Sequence, residues 1–294
     1  MNALPFNSVA DISLLDNIKQ NCNECTYDKM SSNNDFLINI DPDHNIIRNG
    51  LEKQCKNYDT SIDFNNMCGS TINISMLHSN ICSSAKKITD FKYYINNFNL
   101  DISFIGLSET WATTFNKDLL NIPGYRHEQC IRSNKKKGGG TSLYIHNTIQ
   151  YKKREDLTLA KMHYESTFVE IDKSIFKTNR NVIIGEIYKP PSAKIKSFNI
   201  ELEKLLNKIK KEKKYAFLMG DYNINTLTEM NISKQTQDFI NILSTYYYHK
   251  LINLPSRQRN KSCTLIDNIY SNIPDCYNTC SSGVLTFMTQ SDMF

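Results

Sequence analysis

Polar side chains stand at or just after the ends of several apolar segments in this 294-residue chain. They are carboxylate, amide and phenol groups, namely Asn73, Glu109, Tyr188, Asp221 with Asn223, and Asp267. A carboxylate at the end of a buried strand is costly unless it binds a metal or a hydrogen-bond partner. A single such residue is usually a turn former or a helix cap. Five sets in one part of the chain predict a shared site at one rim of the sheets.

The elements that must position this set begin near Thr71, where short apolar segments start to alternate with amphipathic helices. Strands are predicted at 71–77, 102–107, 141–146, 166–171, 182–188, 215–219 and 263–270. Apolar residues at helical spacing predict helices at 86–98, at 238–247, and along the stripe Phe198, Leu202, Leu205, Leu206 and Ile209. Strands and helices mixed in this order predict an α/β or α+β domain whose sheets are covered by helices.

Composition and charge divide the chain at about residue 70. Five of the 35 Lys and Arg residues and ten of the 30 Asp and Glu residues lie in residues 1–70, so this part carries −5 and residues 71–294 carry +10. Residues 1–70 are rich in Asn, Asp and Ser without a sustained period, which predicts an acidic, largely irregular leader. Residues 71–294 are predicted to form the folded domain. Their basic charge favours a polyanionic partner, although a solvated Lys-rich face explains it equally well.

The bulk sequence excludes some classes of protein. No segment approaches the ~20 apolar residues that span a bilayer, and the N-terminus has no secretory signal. Nine cysteines without regular spacing favour reduced thiols over a disulfide framework. We therefore expect an intracellular monomer of the nucleus or cytoplasm that is not secreted and has no membrane partner.

Seven segments in order carry a resemblance to a known family. They are NISMLHSN (73–80), DISFIGLSETW (101–111), GGGTSLYI (138–145), GEIYKPP (185–191), FLMGDYNIN (217–225), LPSRQRNKSCTLIDNIYSN (254–272) and SD (291–292). Each is weak alone, but their order and spacing are specific. The chain resembles the endonuclease/exonuclease/phosphatase family, and within it the apurinic-type endonuclease of non-LTR retrotransposons. The resemblance implies a DNase I-like, two-sheet β-sandwich flanked by helices, with the site at one edge of the sheets.

The resemblance also implies a role for each polar residue. Phosphodiester hydrolysis needs a metal ion, a positioned water and a base. Glu109 is implied as the principal ligand of Mg²⁺ (or Mn²⁺), with Asn73 beside it. Tyr188 and Asn223 would orient the phosphate, and Asp221 would donate a proton or orient the water. Asp267 would hold the catalytic histidine, which Asp292 precedes near the metal. For Asp221 and Asp267, a plainer interpretation as cap or turn residues stays open.

The last residues depart from the family pattern. The family has Ser-Asp-His and then a last strand, whereas this chain reads Ser291-Asp292-Met293-Phe294. Methionine has no basic nitrogen, and a positioned general base contributes about 10²–10⁴-fold to the rate. We expect a copy that is truncated before or at its catalytic histidine, lacks its last strand and hydrolyses poorly. His78 and His146 lie near predicted strand ends, but no motif makes either a substitute.

The leading hypothesis is a Mg²⁺-dependent endonuclease that nicks one strand of duplex DNA and leaves a 3′-hydroxyl for a fused reverse transcriptase. No polymerase segment lies in these 294 residues, so the chain is at most the endonuclease module. One alternative keeps the fold and changes the substrate to a phosphoinositide or a nucleotide. Another is a catalytically inactive remnant that binds nucleic acid.

Restoring the histidine and the last strand is expected to stabilise the domain. A strand adds ladder hydrogen bonds and apolar contacts to a total margin of only about 5–15 kcal/mol. Urea melts of the present and the extended chain measure the change. An unchanged midpoint would contradict the expectation.

Overall fold

The computed structural model describes residues 6–9, 55–58, 74–96, 102–114, 117–132, 138–227, 232–259, 262–274, 276, 280 and 282–286. The strands are β1 (Phe6–Val9), β2 (Cys55–Tyr58), β3 (Met76–Asn80), β4 (Phe104–Ser108), β5 (Tyr125–Cys130), β6 (Thr141–His146), β7 (Tyr151–Lys153), β8 (Leu159–Lys161), β9 (Tyr164–Ile171), β10 (Val182–Tyr188), β11 (Tyr215–Asp221), β12 (His249–Lys250), β13 (Arg257–Arg259), β14 (Ser262–Thr264), β15 (Asp267–Ser271) and β16 (Ser282–Thr286). The helices are α1 (Ser84–Asn96), α2 (Lys173–Phe176), α3 (Ile195–Lys211) and α4 (Lys234–Thr245), and a 3-10 turn lies at Lys117–Leu120.

Two large sheets and one hairpin contain the strands of the described residues. Sheet A has the order β2-β16-β1-β3-β4-β6-β5. Sheet B has the order β12-β15-β11-β10-β9-β7, with β8 paired to β9, and β13 pairs with β14. Strand β3 runs parallel to β4, and β10 runs parallel to β11, whereas β15 is antiparallel to β11. The carboxyl ends of each parallel pair therefore lie at one edge of their sheet, together with the first residue of β15.

Helices cover the outer faces of the two sheets because each long helix carries one apolar stripe. The stripe of α1 packs on sheet A, and the stripes of α3 and α4 pack on sheet B. The residues are Ile88, Phe91 and Ile95 on α1, Phe198, Leu202, Leu206 and Ile209 on α3, and Phe239 and Leu243 on α4. The predicted two-sheet architecture with flanking helices is thus confirmed. None of the described helices is long and apolar enough to cross a membrane.

The layer between the sheets changes from apolar to polar along its strands. Successive side chains of a strand point to opposite faces, so alternate residues enter this layer. They are Met76, His78 and Asn80 on β3, Ile184, Glu186 and Tyr188 on β10, and Phe217, Met219 and Asp221 on β11. The apolar members fill the core between the sheets. The polar members lie together at one end of the layer, which is where the candidate site forms.

Two predicted strands have the expected bounds, most other predicted elements are shifted by a few residues, and two strands differ in a way that matters to the site. Strands β6 and β10 coincide with the predictions at 141–146 and 182–188. Residues 71–73 of the strand predicted at 71–77 lie outside the described residues, and the strand that the structure describes there is Met76–Asn80, which pairs with β4 over this range. The strand predicted at 263–270 is two strands, β14 and β15. The chain bends between them, where the Leu265 and Ile266 carbonyls accept from Thr226 and Tyr222.

Two short strands from the first 70 residues join sheet A. Strand β1 pairs antiparallel with β3 and β16, and β2 pairs parallel with β16. The rest of that segment lies outside the described residues, so the predicted irregular leader stays a prediction.

Gly220 is expected to be indispensable to sheet B, because a Cβ there would overlap the backbone carbonyl of Ile187 on the neighbouring strand. Neither backbone can yield without breaking the β10–β11 ladder, so Gly220→Ala should cost about 3 kcal/mol of unfolding free energy. Gly124, with φ 84° and no atom within 4 Å of the position that a Cβ would take, is the matched control. Gly124→Ala should cost only about 1 kcal/mol, through backbone conformation alone. Equal shifts of the two urea midpoints would contradict this.

Candidate active site

The site is built from strand ends of both sheets. Asn80 ends β3, and Glu109 follows β4 directly, so sheet A contributes these two residues. Sheet B contributes Tyr188 at the end of β10, Asp221 at the end of β11 and Asp267 at the start of β15. Tyr188 pairs with Asp221, and Asp221 with Asp267, in the register of sheet B. Backbone pairing alone therefore places Tyr188, Asp221 and Asp267 side by side at this edge of sheet B.

Hydrogen bonds join the two halves of the site. The Tyr188 hydroxyl donates to Oε1 of Glu109 at 3.0 Å. Nδ2 of Asn80 donates to the same oxygen at 3.2 Å and to Oδ2 of Asp221 at 2.8 Å. The linked set Tyr188–Glu109–Asn80–Asp221 crosses the gap between the sheets twice. We call these four residues the edge cluster.

Asn223 lies beside the edge cluster and supports Asp221. Its backbone N–H donates to Oδ1 of Asp221 at 2.9 Å, and its Nδ2 donates to the Lys189 carbonyl at 2.9 Å. Its φ of 45° turns the chain away from β11 immediately after Asp221. Asp221 is thereby held on both carboxylate oxygens, by Asn80 and by Asn223.

Asp267 lies beside Asp221 in sheet B, against a buried histidine. Nε2 of His78 is 3.2 Å from Oδ1 of Asp267, and Nδ1 of His78 is 3.1 Å from Oε2 of Glu186. The Ser256 hydroxyl donates to Oδ2 of Asp267 at 2.8 Å and accepts from the Asp267 backbone N–H at 3.0 Å. Both oxygens of Asp267 are therefore engaged within the protein.

Burial and charge shift the acidities of this region. Burial, and then the charge of Asp267, raise the pKa of Asp221, although hydrogen bonds from Asn80 and Asn223 oppose the rise. Burial, followed by the charges of Glu109 and Asp221, raises the pKa of Tyr188. Burial alone would lower the pKa of His78, but Glu186 and Asp267 outweigh it and raise the pKa to about 10. Burial raises the pKa of Glu186 despite His78. Asp221 thus retains a proton more readily than an exposed carboxyl group.

Backbone strain accompanies the cluster. Glu109 and Trp111 have φ values of 52° and 51°, in the left-handed region that non-glycine residues seldom adopt. The Trp111 N–H donates to the Gly139 carbonyl at 2.8 Å, which ties the loop after β4 to the segment before β6. Such strain persists only where surrounding contacts impose it, and it concentrates at functional sites.

An arginine that the sequence did not single out flanks the cluster. Cζ of Arg132 lies 6.0 Å from the centre of the Tyr188 ring, and its Nε donates to the buried carboxylate of Glu165. A Cβ at Gly139 would overlap this guanidinium, so the glycine leaves the space in which it lies. The glycines that follow the lysines at 135–137 were a sequence signal that another group packs closely against this backbone. The sequence alone did not show that this group is Arg132.

The structure brings together Glu109, Tyr188, Asp221, Asn223 and Asp267. Asn73 and Asp292 lie outside the described residues, so their roles stay predictions. The asparagine in the cluster is Asn80, which lies beyond the strand that hydropathy predicted to end at residue 77. The signal was available: the other site residues before β15 lie at the carboxyl ends of strands, and Asn80 is the residue at that end of β3.

The donor set fits a magnesium ion that keeps much of its water. No group of three His, Cys, Asp or Glu side chains in the described part of the chain could by itself enclose a metal. Mg²⁺ needs only one or two protein carboxylates when waters and substrate phosphate complete its shell. Glu109 is partly exposed, and among the described residues its hydrogen bonds fall on Oε1 alone. Its Oε2 is therefore available to a cation.

The sandwich and its edge cluster define a two-layered domain with a polar site at the sheet edge. The endonuclease/exonuclease/phosphatase family matches residues 70–280. The chain belongs to this family of hydrolases. A comparison with curated proteins finds no match.

Solved structures share the DNase I-like fold. One is the AP endonuclease LMAP from Leishmania major, with TM-score 0.52 and 11% identity over 67% of this chain and 78% of that chain. Another is the catalytic domain of Xenopus laevis APE2, with TM-score 0.49 and 15% identity over 67% and 82%. A third is the endonuclease domain of TRAS1, a telomere-specific non-LTR retrotransposon, with TM-score 0.47 and 12% identity over 66% and 83%. Only the similarity to LMAP, with a TM-score above 0.5, supports the fold, and its 11% identity leaves the substrate open.

The strain at Glu109 predicts an inverted order of stability for two substitutions. Both Glu109→Ala and Glu109→Gly remove the carboxylate, but only glycine adopts a φ of 52° without a steric cost. Glu109→Gly should therefore be more stable than Glu109→Ala by about 1 kcal/mol in urea melts. Glu128 in strand β5 is the control, and there the alanine variant should be the more stable. The same order at both positions would show that Glu109 is not strained.

Proposed function

We propose that residues 71–294 form a divalent-metal-dependent DNA endonuclease domain of the retrotransposon type, which nicks one strand of a duplex. The observation that supports this most directly is the edge cluster. Two strand ends of sheet A and two of sheet B place a carboxylate, an amide, a phenol and a second carboxylate in one hydrogen-bonded set. Such a set combines a metal ligand with groups that donate hydrogen bonds to phosphate.

Each member has a role that its surroundings support. Glu109, with Asn80 beside it, would hold Mg²⁺ or Mn²⁺, which when bound neutralises charge on the phosphate and the leaving oxygen. Tyr188, by turning its hydroxyl proton from Glu109 to the phosphate, and Asn223, through the second N–H of its amide, would donate hydrogen bonds that orient the phosphate. Asp221, held on both oxygens by Asn80 and Asn223, would protonate the leaving oxygen or orient the attacking water. Asp267 would keep the rear of the site fixed.

The basic charge is compatible with a nucleic-acid substrate, and the motifs favour one. The net charge of +10 on residues 71–294 favours a polyanion, and DNA presents a continuous row of phosphates. The hairpin of β13 and β14 begins with Arg257, one residue after the Ser256 that holds Asp267. This places a cation close to the site in the chain. The motifs SETW, PSR and TLIDNIYSN favour the retrotransposon branch over phosphoinositide or nucleotide phosphatases.

Nicking of supercoiled plasmid in Mg²⁺ tests the proposal. The unaltered chain should nick slowly, because Met293 stands where the family has a general base. Met293→His should raise the rate by about 10²–10⁴-fold. In that background Glu109→Gln should lower the rate by about 100-fold or more, because one carboxylate is lost from the metal site. Glu128→Gln on β5, outside the edge cluster, should leave the rate unchanged.

Two other outcomes would replace the proposal. Phosphate release from inositol phosphates or nucleotides without plasmid nicking would assign the domain to a phosphatase of the same fold. Plasmid gel shift by both proteins, with no metal-dependent nicking by either, would assign it to a nucleic-acid-binding remnant. In that case Glu109→Gln should leave DNA binding intact.

A further inference from the structure

His78 crosses the layer between the two sheets. It belongs to β3 of sheet A, is fully buried, and stands two residues before Asn80. Its Nδ1 lies 3.0 Å from Oε1 and 3.1 Å from Oε2 of Glu186, and its Nε2 lies 3.2 Å from Oδ1 of Asp267. Both carboxylates belong to sheet B. One side chain therefore ties sheet A to two strands of sheet B.

The two strands that His78 reaches are not neighbours. In sheet B, β11 lies between β10, which carries Glu186, and β15, which carries Asp267. The contacts of His78 thus span β11, the strand that ends at Asp221. We call His78 with Glu186 and Asp267 the His78 bridge. It lies directly beneath the edge cluster, one inward-facing residue back along β3 and β10.

A glycine in sheet A leaves space for the Glu186 carboxylate of the bridge. Gly106 on β4 pairs with His78 in the register of sheet A. A Cβ at Gly106 would overlap Oε2 of Glu186, so the carboxylate occupies space that only glycine leaves. The rest of the layer around it is apolar and includes Phe104 and Met219. Buried carboxylates in such surroundings are costly unless paired, and His78 supplies the pair for both.

His78 does not act on the substrate. It has no exposed surface, and each ring nitrogen faces a carboxylate oxygen. Both nitrogens are therefore engaged by side chains of sheet B, and neither is available to take a proton from water. The position of His78 still matters to the site, because Asn80 on the same strand makes the bonds to Glu109 and Asp221.

We propose that His78 is a positioning residue whose bridge to Glu186 and Asp267 fixes the gap across which Asn80, Glu109, Tyr188 and Asp221 meet. The inference rests on the proposed function only in taking the edge cluster as the metal and phosphate site. Loss of the bridge removes the His78 contact of Glu186 and one of the two side-chain contacts of Asp267, and it lets the strand ends of the two sheets move apart. Displacement of a catalytic group by about 1 Å can reduce a rate by about 100-fold.

The bridge itself is tested by NMR of the folded chain, without metal or substrate. We expect the ¹⁵N signals of both His78 ring nitrogens to report hydrogen bonds, and ring N–H exchange with solvent to be slow. Glu186→Gln should shift the Nδ1 signal most, and Asp267→Asn should shift the Nε2 signal most. Ring signals insensitive to both substitutions, or fast exchange of the ring N–H with solvent, would overturn the proposal.

The positioning role is tested by Mn²⁺ titration of folded variants. His78→Leu should weaken Mn²⁺ binding by about 10-fold or more, the size of effect found for residues that orient metal ligands. His78→Gln, which keeps one hydrogen bond, should recover part of the affinity and serves as the readout if the leucine variant does not fold. His146→Leu, at the opposite end of sheet A on β6, is the control and should bind as the unaltered chain does. Unchanged affinity in folded His78→Leu and His78→Gln would overturn the positioning role.

The two proposals fail in different ways. If the unaltered chain binds no Mn²⁺, the proposed metal site is wrong, and so is the role given to His78 in it, although the NMR result still decides whether the bridge exists. If Mn²⁺ binds and plasmid is nicked while the His78 variants behave like the unaltered chain, only the positioning role fails.

Discussion

The structure depends on how acidic side chains are accommodated at one end of an otherwise apolar layer. Glu186 and Asp221 are buried between the sheets, and burial raises the pKa of each. Charges in such surroundings cost several kcal/mol apiece unless they are paired. Their partners, His78 and Asn80, come from the opposite sheet. Separating the sheets would remove the His78 contact of Glu186 and the Asn80 contact of Asp221, so the same contacts that close the sandwich also assemble the site.

In the loops that follow the strands, site residues adopt backbone conformations that lower the stability of the fold. Glu109 and Asn223 both have positive φ values, and each lies next to or within the edge cluster. Backbone hydrogen bonds to Gly139 and Gly140 hold the strained loop after β4 in place. The strained backbone at Glu109 costs conformational free energy, and it directs the Glu109 carboxylate into the edge cluster. A rigid, largely apolar sandwich beneath the loops makes this strain sustainable.

Asp267 is held in place by residues of the described domain. The resemblance assigns it to a histidine beyond Asp292, yet its two oxygens are already held by His78 and Ser256. A carboxylate offers about four acceptor positions, so these bonds leave room for another donor. Asp267 is therefore oriented whatever residue stands at position 293. The geometry of the acidic site and the presence of a general base are separate properties of this chain.

Hydropathy along the chain is enough to locate elements with a clear apolar pattern, such as β6, β10 and the helix stripes around Phe91 and Phe198, because periodicity reports which face is buried. It also places Glu109, Tyr188 and Asp221 at or just after strand ends, whereas the start of β15 at Asp267 lies inside the strand predicted at 263–270. The continuation of β3 to Asn80, in contrast, follows from contacts between the sheets. His78, Ser79 and Asn80 are polar, so a hydropathy pattern ends the strand before them, whereas two of the three have partners more than a hundred residues away on sheet B. Gly106 has the same explanation: its need for space comes from Glu186, which no local pattern reveals.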